Sequence, residues 1–264
     1  YAIQAEGFIT NSQRASVGLA EDRTRAVVEA ALPPRIDFPL LARLDIRWTR
    51  LPAEAFEAFI GFSGDGAPLA RILEPLGATA SRGVRDGIAE GIALGRSPRE
   101  TARLVRQKFG VPLTDSLRIS RTETLRAFRE STRMQYAANS NIVKGYARRS
   151  ARDDRVCMAC LALDGKRYAN NEPLDEHVNG RCAMVPVTLT YRDLGLNVDT
   201  PPGDTTTSRD WFADQGAGTQ RRMMGPGRFD AWNAGQFELT DMAKVTSDPV
   251  WGDSAVVKPL KELV

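Results

Sequence analysis

DDRVCMACLALDGKRY (153–168) and HVNGRCAMVPV (177–187) hold every cysteine of the chain and its only histidine. Cys157, Cys160, His177 and Cys182 are spaced Cys-x2-Cys-x16-His-x4-Cys. Two cysteines separated by two residues grip a tetrahedral ion from one tight turn. Between the pairs, Asp164-Gly165 is a hairpin signal that returns the second pair to the first. Three thiolates and one imidazole fill all four positions of a zinc ion, so the site reads as closed and structural. Two blander readings share the spacing: a cluster of free thiols, and a Cys157–Cys160 disulfide with Cys182 left over. A catalytic zinc is harder to build. Asp175 and Glu176 adjoin His177, but neither HExxH nor the HxE of deaminases is present.

The surrounding segment, 151–186, is polar and turn-rich and has little to bury. Structural zinc supplies about 10–16 kcal/mol of apparent binding energy, which can hold such a segment without a core. The chain on its N-terminal side reads as helices. Residues 19–32 carry apolar positions at helical spacing and stop at Pro33-Pro34. Pro52 suits the first turn of a helix over AEAFEAFIGF, and 78–94 is helical in pattern again. Ser97-Pro98-Arg99-Glu100 is a capping box, opening a helix that ends at Gly110. Thr114 caps a longer helix expected to run to roughly Arg148, and 185–191 reads as a strand.

From Asp199 onward the chain is rich in Gly and Pro, with short helical pieces around Trp211, Gln220–Met224 and Phe229–Ala234. Such a stretch builds a core of its own with difficulty. It is expected to wrap along the helical body or a neighbouring subunit, with Trp211, Phe229, Trp232, Phe237 and Trp251 as anchors. The expected fold is thus mainly α with a small zinc-stabilised β-hairpin module, an α+β arrangement, followed by an extended loop-rich C-terminal tail. Three regions follow: an N-terminal helical region (1–110), the long helix plus metal module (111–190), and the tail (191–264).

On the long helix, Leu117, Leu125, Phe128, Ala138, Ile142 and Tyr146 share one side of a helical wheel. Arg118, Arg126, Arg129 and Arg133 share another, either a solvated face or a surface for double-stranded DNA phosphates or an acidic protein. Arg121 falls on the apolar side and is expected to be buried, paired and structural. Arg148, Arg149, Arg152 and Arg155 add positive charge near the metal residues.

A net charge of +3 is too small to argue for nucleic acid by itself. No apolar run is long enough to span a membrane, and the first residues lack a signal-peptide pattern, although the start at Tyr1 rather than Met leaves room for a preceding segment. With three cysteines, these features point to a reducing compartment and to metal rather than disulfides. No Gly-x-Ser-x-Gly, phosphate loop or paired-acid pattern is present, and the chain is expected not to be an enzyme.

Several fragments in order resemble a known family: IGFSGDGAPL (60–69), ISRTETLRAF (119–128) with its Arg-Thr-Glu signature, DDRVCMACLALDGKRY, and HVNGRCAMVPV. This resembles the phage head morphogenesis family of Mu F-like minor head proteins, over roughly 40–190 and more loosely through QRRMMGPGRFDAWNAGQFELTDM (220–242). The family's usual pattern is Cys-x2-Cys, Leu-Asp-Gly, then His-x-x-Cys-Arg-Cys before Pro-Val. Here Gly180 stands where the pattern has its first cysteine of Cys-Arg-Cys, which gives His177 more weight as the fourth ligand. The resemblance implies a minor capsid protein of the virion, present in few copies inside the head near the portal and assembled in the host cytoplasm. It implies portal or major capsid protein as partner and a part in head assembly and DNA delivery. A zinc-stabilised nucleic-acid-binding module is the alternative, and a hydrolase using Asp or Glu a weaker one.

Overall fold

The computed structural model describes residues 24–30, 32, 83, 84, 86–88, 90, 91, 94, 96–109, 113–201, 206–248 and 252–264. Residues 24–30 are helical, as are 83, 84, 86–88, 90 and 91 within the stretch expected to be helix. The expected helix after Pro52, the fragment at 60–69 and Trp251 lie outside the described residues.

Helix α1 (Pro98–Phe109) starts as its sequence predicts. The Glu100 carboxylate accepts from the Ser97 backbone N–H at 2.8 Å, and Glu100 N–H donates back to Ser97 Oγ at 3.3 Å. The Ser97 hydroxyl also donates to the Glu100 carboxylate at 2.7 Å, and this bond, with that from the Ser97 N–H, holds the carboxyl below its usual range. Thr101, Ala102 and Val105 form its buried side, and α2 (Leu113–Ala138) packs against it.

The long helix is shorter than expected. It ends at Ala138, where Asn139 turns the chain and donates its side-chain amide to Gln135 O at 2.9 Å. Ile142 and Tyr146 therefore do not continue a helix; Tyr146 lies in strand β1 (Val143–Arg149). The expected apolar side of α2 is also corrected: Phe128 is 44% exposed, whereas Thr122, Ser131, Thr132, Gln135, Tyr136 and Asn139 are buried. Thr122 and Thr132 satisfy their hydroxyls on carbonyls one turn back, which lowers the cost of burying a polar helix face, although the buried Ser131 hydroxyl has no hydrogen-bond partner. Arg121 is corrected with it. It is half-buried and has no ion-pair partner among the described residues.

Strand β1 is the centre of a three-stranded antiparallel sheet, flanked by β2 (Arg167–Tyr168) and β3 (Ala183–Thr188). Tyr146 faces Tyr168 and Pro186 across the two ladders. The Tyr146 and Tyr168 rings stack with centroids 5.1 Å apart. Pro186 lacks a donor and is tolerated because β3 is an edge strand. Gly145 is required where β1 passes β2, since a Cβ there would lie 2.4 Å from Tyr168 O. Val28, Leu32, Tyr136, Ile142, Val143, Tyr146, Tyr168, Met184 and Leu194 form one core.

The C-terminal region is not an extended loop-rich tail. The short helical pieces expected there are present as α4 (Ser208–Ala213), α5 (Ala217–Met224) and α6 (Pro226–Asn233). A 3-10 turn (Leu239–Met242) and a hairpin of β4 (Ala243–Asp248) and β5 (Gly252–Val257) follow. Gly216 and Gly225 cut the helices into single turns or two, too short to show periodicity. These elements bury Phe212, Met224, Ala231, Phe237, Leu239 and Met242 against α3 (Met158–Ala162), the helix of the Cys-x2-Cys motif. Trp211, Phe229 and Trp232 are half-buried around the same cluster, so the aromatics do anchor this region. They complete the core of the cysteine segment rather than wrap an independent body.

Candidate metal centre

Cys157 is the N-cap of α3, and three residues later the first turn of that helix presents Cys160 inward. The connection from β2 to β3, residues 169–182, brings His177 and Cys182 to the same place. Cys157, Cys160, His177 and Cys182 all line one cavity of about 50 Å³. That volume suits an ion and is far below the roughly 300–1,000 Å³ of small-molecule sites. Their donor atoms form two triads that share Cys160. Cys157, Cys160 and His177 make one, and Cys160, Glu176 and Cys182 the other, with donor atoms in each within 4.8 Å of one another. The sequence reading placed the first three and Cys182 together; Glu176 it named only as a neighbour.

All three cysteines are free, so the Cys157–Cys160 disulfide is not formed. Cys160 and Cys182 are buried at 3% and 4% exposure, and Cys157 is half-buried. His177 is oriented by its other nitrogen. Nδ1 lies 2.8 Å from Val178 O, a group that only accepts, so Nδ1 carries the proton and Nε2 faces Cys160 Sγ at 3.0 Å. A hydrogen bond from Cys160 pulls the Cys157 thiol down to about 4, while the same donation, with another to Cys182, pushes Cys160 up. Contact with Cys157 raises His177 to about 9. The cluster thus holds a thiolate beside a cationic ring, and an incoming metal would displace the ring's proton. Each triad could hold a metal ion, and thiolate with imidazole is a donor set that zinc accepts.

Around the sulfurs lies a buried charge network that the sequence reading assigned elsewhere. Arg148, two residues from Tyr146 on the same side of β1, is fully buried. It donates to Asp175 Oδ1 at 2.9 Å, Asp175 O at 3.1 Å, Glu176 Oε1 at 3.1 Å and Cys160 Sγ at 3.4 Å. Burial works against the guanidinium's charge, but Glu176 and the thiols of Cys182 and Cys160 outweigh it and hold the group's pKa above its usual value. Burial likewise works against the Glu176 charge, and Arg148 and Arg129 overcome it, holding this carboxyl below its usual range. Arg148 is therefore the buried, paired arginine that the helical wheel had suggested for Arg121.

Arg129 and Arg133 are corrected too, since neither guanidinium is held out on a solvated stripe. Arg129 donates to Cys182 O at 3.0 Å and Gly180 O at 2.7 Å, pinning the second ligand loop to α2. Arg133 pairs with Glu130 and donates to Asn170 O at 2.9 Å. Arg118 is exposed and Arg126 half-buried. Arg149 and Arg152 both donate to Thr206 O. Arg181 forms a two-point bond to Asp153 at 2.7 Å, joining the two ligand loops outside the cavity. Asp164, read from sequence as a turn residue only, is buried. It accepts from Ser150 N–H at 2.6 Å and Ser208 N–H at 2.7 Å, so the Leu-Asp-Gly turn ties the end of β1 to the start of α4.

Beside the centre, a groove of about 870 Å³ is lined by both signs of charge, among them Arg126, Lys166 and Arg167 facing Glu130, Glu172 and Asp253. No helix among the described residues is long and apolar enough to cross a membrane. Neither a curated protein nor a solved structure matches the chain. The family model described as Phage Mu protein F like protein matches residues 82–185, the span from before α1 into β3 that carries the Arg-Thr-Glu helix and all four Cys and His positions, and over that span the chain is similar to that family.

Proposed function

We propose that this chain is a structural component of a phage-type head, attached near the portal and acting by assembly rather than turnover, with a zinc ion that holds its ligand loops in place. The match of residues 82–185 to the Mu F-like family carries the reading. The site supports it. The cysteine cavity has room for an ion and not for a substrate, and the lone histidine is committed to the sulfurs. Arg129 and Arg133 spend their donors on backbone carbonyls, which weakens the alternative of a nucleic-acid module built on the α2 stripe. DNA contact through Arg118 and Arg126 and a role in DNA delivery belong to the same proposal.

Two measurements test it. Native mass spectrometry should find about one zinc per chain; a folded, metal-free chain with oxidised cysteines would refute the metal. Cys157→Ser with Cys160→Ser should lower the amount of the protein incorporated into particles and its co-purification with portal or capsid protein. Incorporation at normal stoichiometry would break the link between metal and attachment. Multiple-turnover cleavage of DNA, peptide or cell wall by the purified protein would overturn the reading as a whole.

A further inference from the structure

Glu176 has no evident place in a site made of three cysteines and one histidine, yet it is built into the cluster. Its side chain is only 5% exposed. One carboxylate oxygen, Oε1, accepts from Arg148 and from the His177 backbone N–H and lies 3.6 Å from Cys160 Sγ. The other, Oε2, is buried and has no N–H or O–H donor; Arg129 stands 3.8 Å away, and the Cys182 thiol lies close enough to the carboxylate to help hold its charge. A buried carboxylate oxygen without a donor is costly, and a metal ion is one of the few groups that offset such a cost. With Cys160 and Cys182 this carboxylate forms a triad as tight as the one made by Cys157, Cys160 and His177.

The backbone makes room for it. Gly180 carries no side chain, and a Cβ there would fall 2.1 Å from Glu176 Oε1 and 2.3 Å from its carboxylate carbon. Gly180 does not have the left-handed φ that demands glycine, so the space, not the torsion, is what a larger residue would forfeit. The loop from Asp175 to Cys182 thus delivers two donors of different kinds to one set of sulfurs. His177 enters from the half-exposed side, held by Val178 O; Glu176 enters from the buried side, held by Arg148.

We propose that Glu176 is a metal ligand of this chain: its carboxylate contests with His177 the fourth position on an ion held by Cys157, Cys160 and Cys182. The proposal rests on the zinc reading above. Zinc accepts either donor, oxygen at about 2.0–2.2 Å or imidazole nitrogen at about 2.0–2.1 Å, so the exchange demands no change of geometry. The ion then stays bound when the half-exposed histidine swings away.

The test uses the full chain, zinc alone as ligand, and chelator competition with zinc X-ray absorption as readouts. His177→Ala should still bind one zinc per chain, with affinity lowered by no more than the roughly 10–100-fold that loss of an outer partner costs. Its absorption spectrum should show three sulfurs and one oxygen. Adding Glu176→Gln to His177→Ala should lower affinity by a further factor well above about 100. Because Glu176→Gln also strips a partner from Arg148, Gly180→Ala serves as the version that keeps every charge. Added to His177→Ala, it should displace the carboxylate and reproduce the loss. A His177→Ala protein that folds but binds no zinc would overturn the proposal. So would one whose zinc affinity ignores both second substitutions, because Glu176 would then serve Arg148 alone. If the unaltered chain binds no metal, the zinc reading itself falls, and the proposal with it.

Discussion

Replacing Arg148 by methionine tests the buried charge network most directly. The side chain is fully buried and its guanidinium reaches Asp175, Glu176 and Cys160. Methionine has similar reach and no charge, so the main loss is electrostatic. The two acids suffer unequally. Asp175 keeps Lys166 at 2.9 Å and the Tyr168 hydroxyl. Glu176 keeps the His177 backbone N–H and ring beside Oε1, and among arginines only Arg129 at 3.8 Å, whose guanidinium is already occupied by two carbonyls. Removing one partner of a buried ion pair costs about 3–5 kcal/mol, because the remaining charge is left uncompensated. For a chain of this size each kcal/mol lowers the midpoint by roughly 2–4 °C, so the expected fall is about 6–20 °C. The assay is thermal and urea unfolding with zinc saturating and equal in both proteins, since bound ligand adds its own stabilisation. Adding Glu176→Gln should recover part of the loss, with a coupling of about 0.5–3 kcal/mol in the double-mutant cycle. An Arg148→Met midpoint indistinguishable from the parent's, or strictly additive losses, would refute the argument that this arginine is held by the acids.

Arg129→Ala should free the Gly180 and Cys182 carbonyls and lower zinc affinity by roughly 10–100-fold, read by chelator competition. Asp164→Ala should destabilise by about 3 kcal/mol in urea, because two buried N–H groups lose a charged acceptor, and proteolysis should then attack the chain between β3 and α4 first. Asp153, held down to about 2 mainly by its hydrogen bonds from Arg181, should titrate near that value by carboxyl NMR and move back up in Arg181→Ala. Since the folded pKa is below the ordinary one, this clamp is fully present above about pH 4 and is lost as pH falls through about 2.

The meeting of Cys157, Cys160, His177 and Cys182 around one cavity was legible because their chemistry is rare: three cysteines and one histidine confined to one segment admit few other uses. The α1 start was legible for a similar reason, since a capping box is a local device whose partners are three residues apart. The end of α2 was not. Asn139 and Asn141 were the stop signal, but Ile142 and Tyr146 happened to fit the helical wheel, and a wheel drawn through a turn mistakes strand residues for helix residues. That error also misplaced the buried arginine. Once 143–149 is a strand, the alternation of Tyr146 and Arg148 puts both on the buried side, while Arg121 belongs to an α2 whose buried face is polar. Glu176 escaped notice because a carboxylate next to a histidine is ordinary in sequence; only the space above Gly180 shows where it goes. The C-terminal core was invisible for want of periodicity, as its apolar residues come from pieces of six to eight residues that pack on a distant α3.

That distance has a consequence during synthesis. Leu263, which packs beside Phe212 and Met242 on the cysteine helix, is made 81 residues after Cys182. At about 5–20 residues per second, the ligand segment waits on the order of 4–16 s for the last of its apolar partners. Throughout that interval Met158 and Leu161 have nothing from the far end of the chain to cover them, while all four Cys and His donors already exist. An ion captured early would hold the loops against misfolding and oxidation until the rest of the chain arrives.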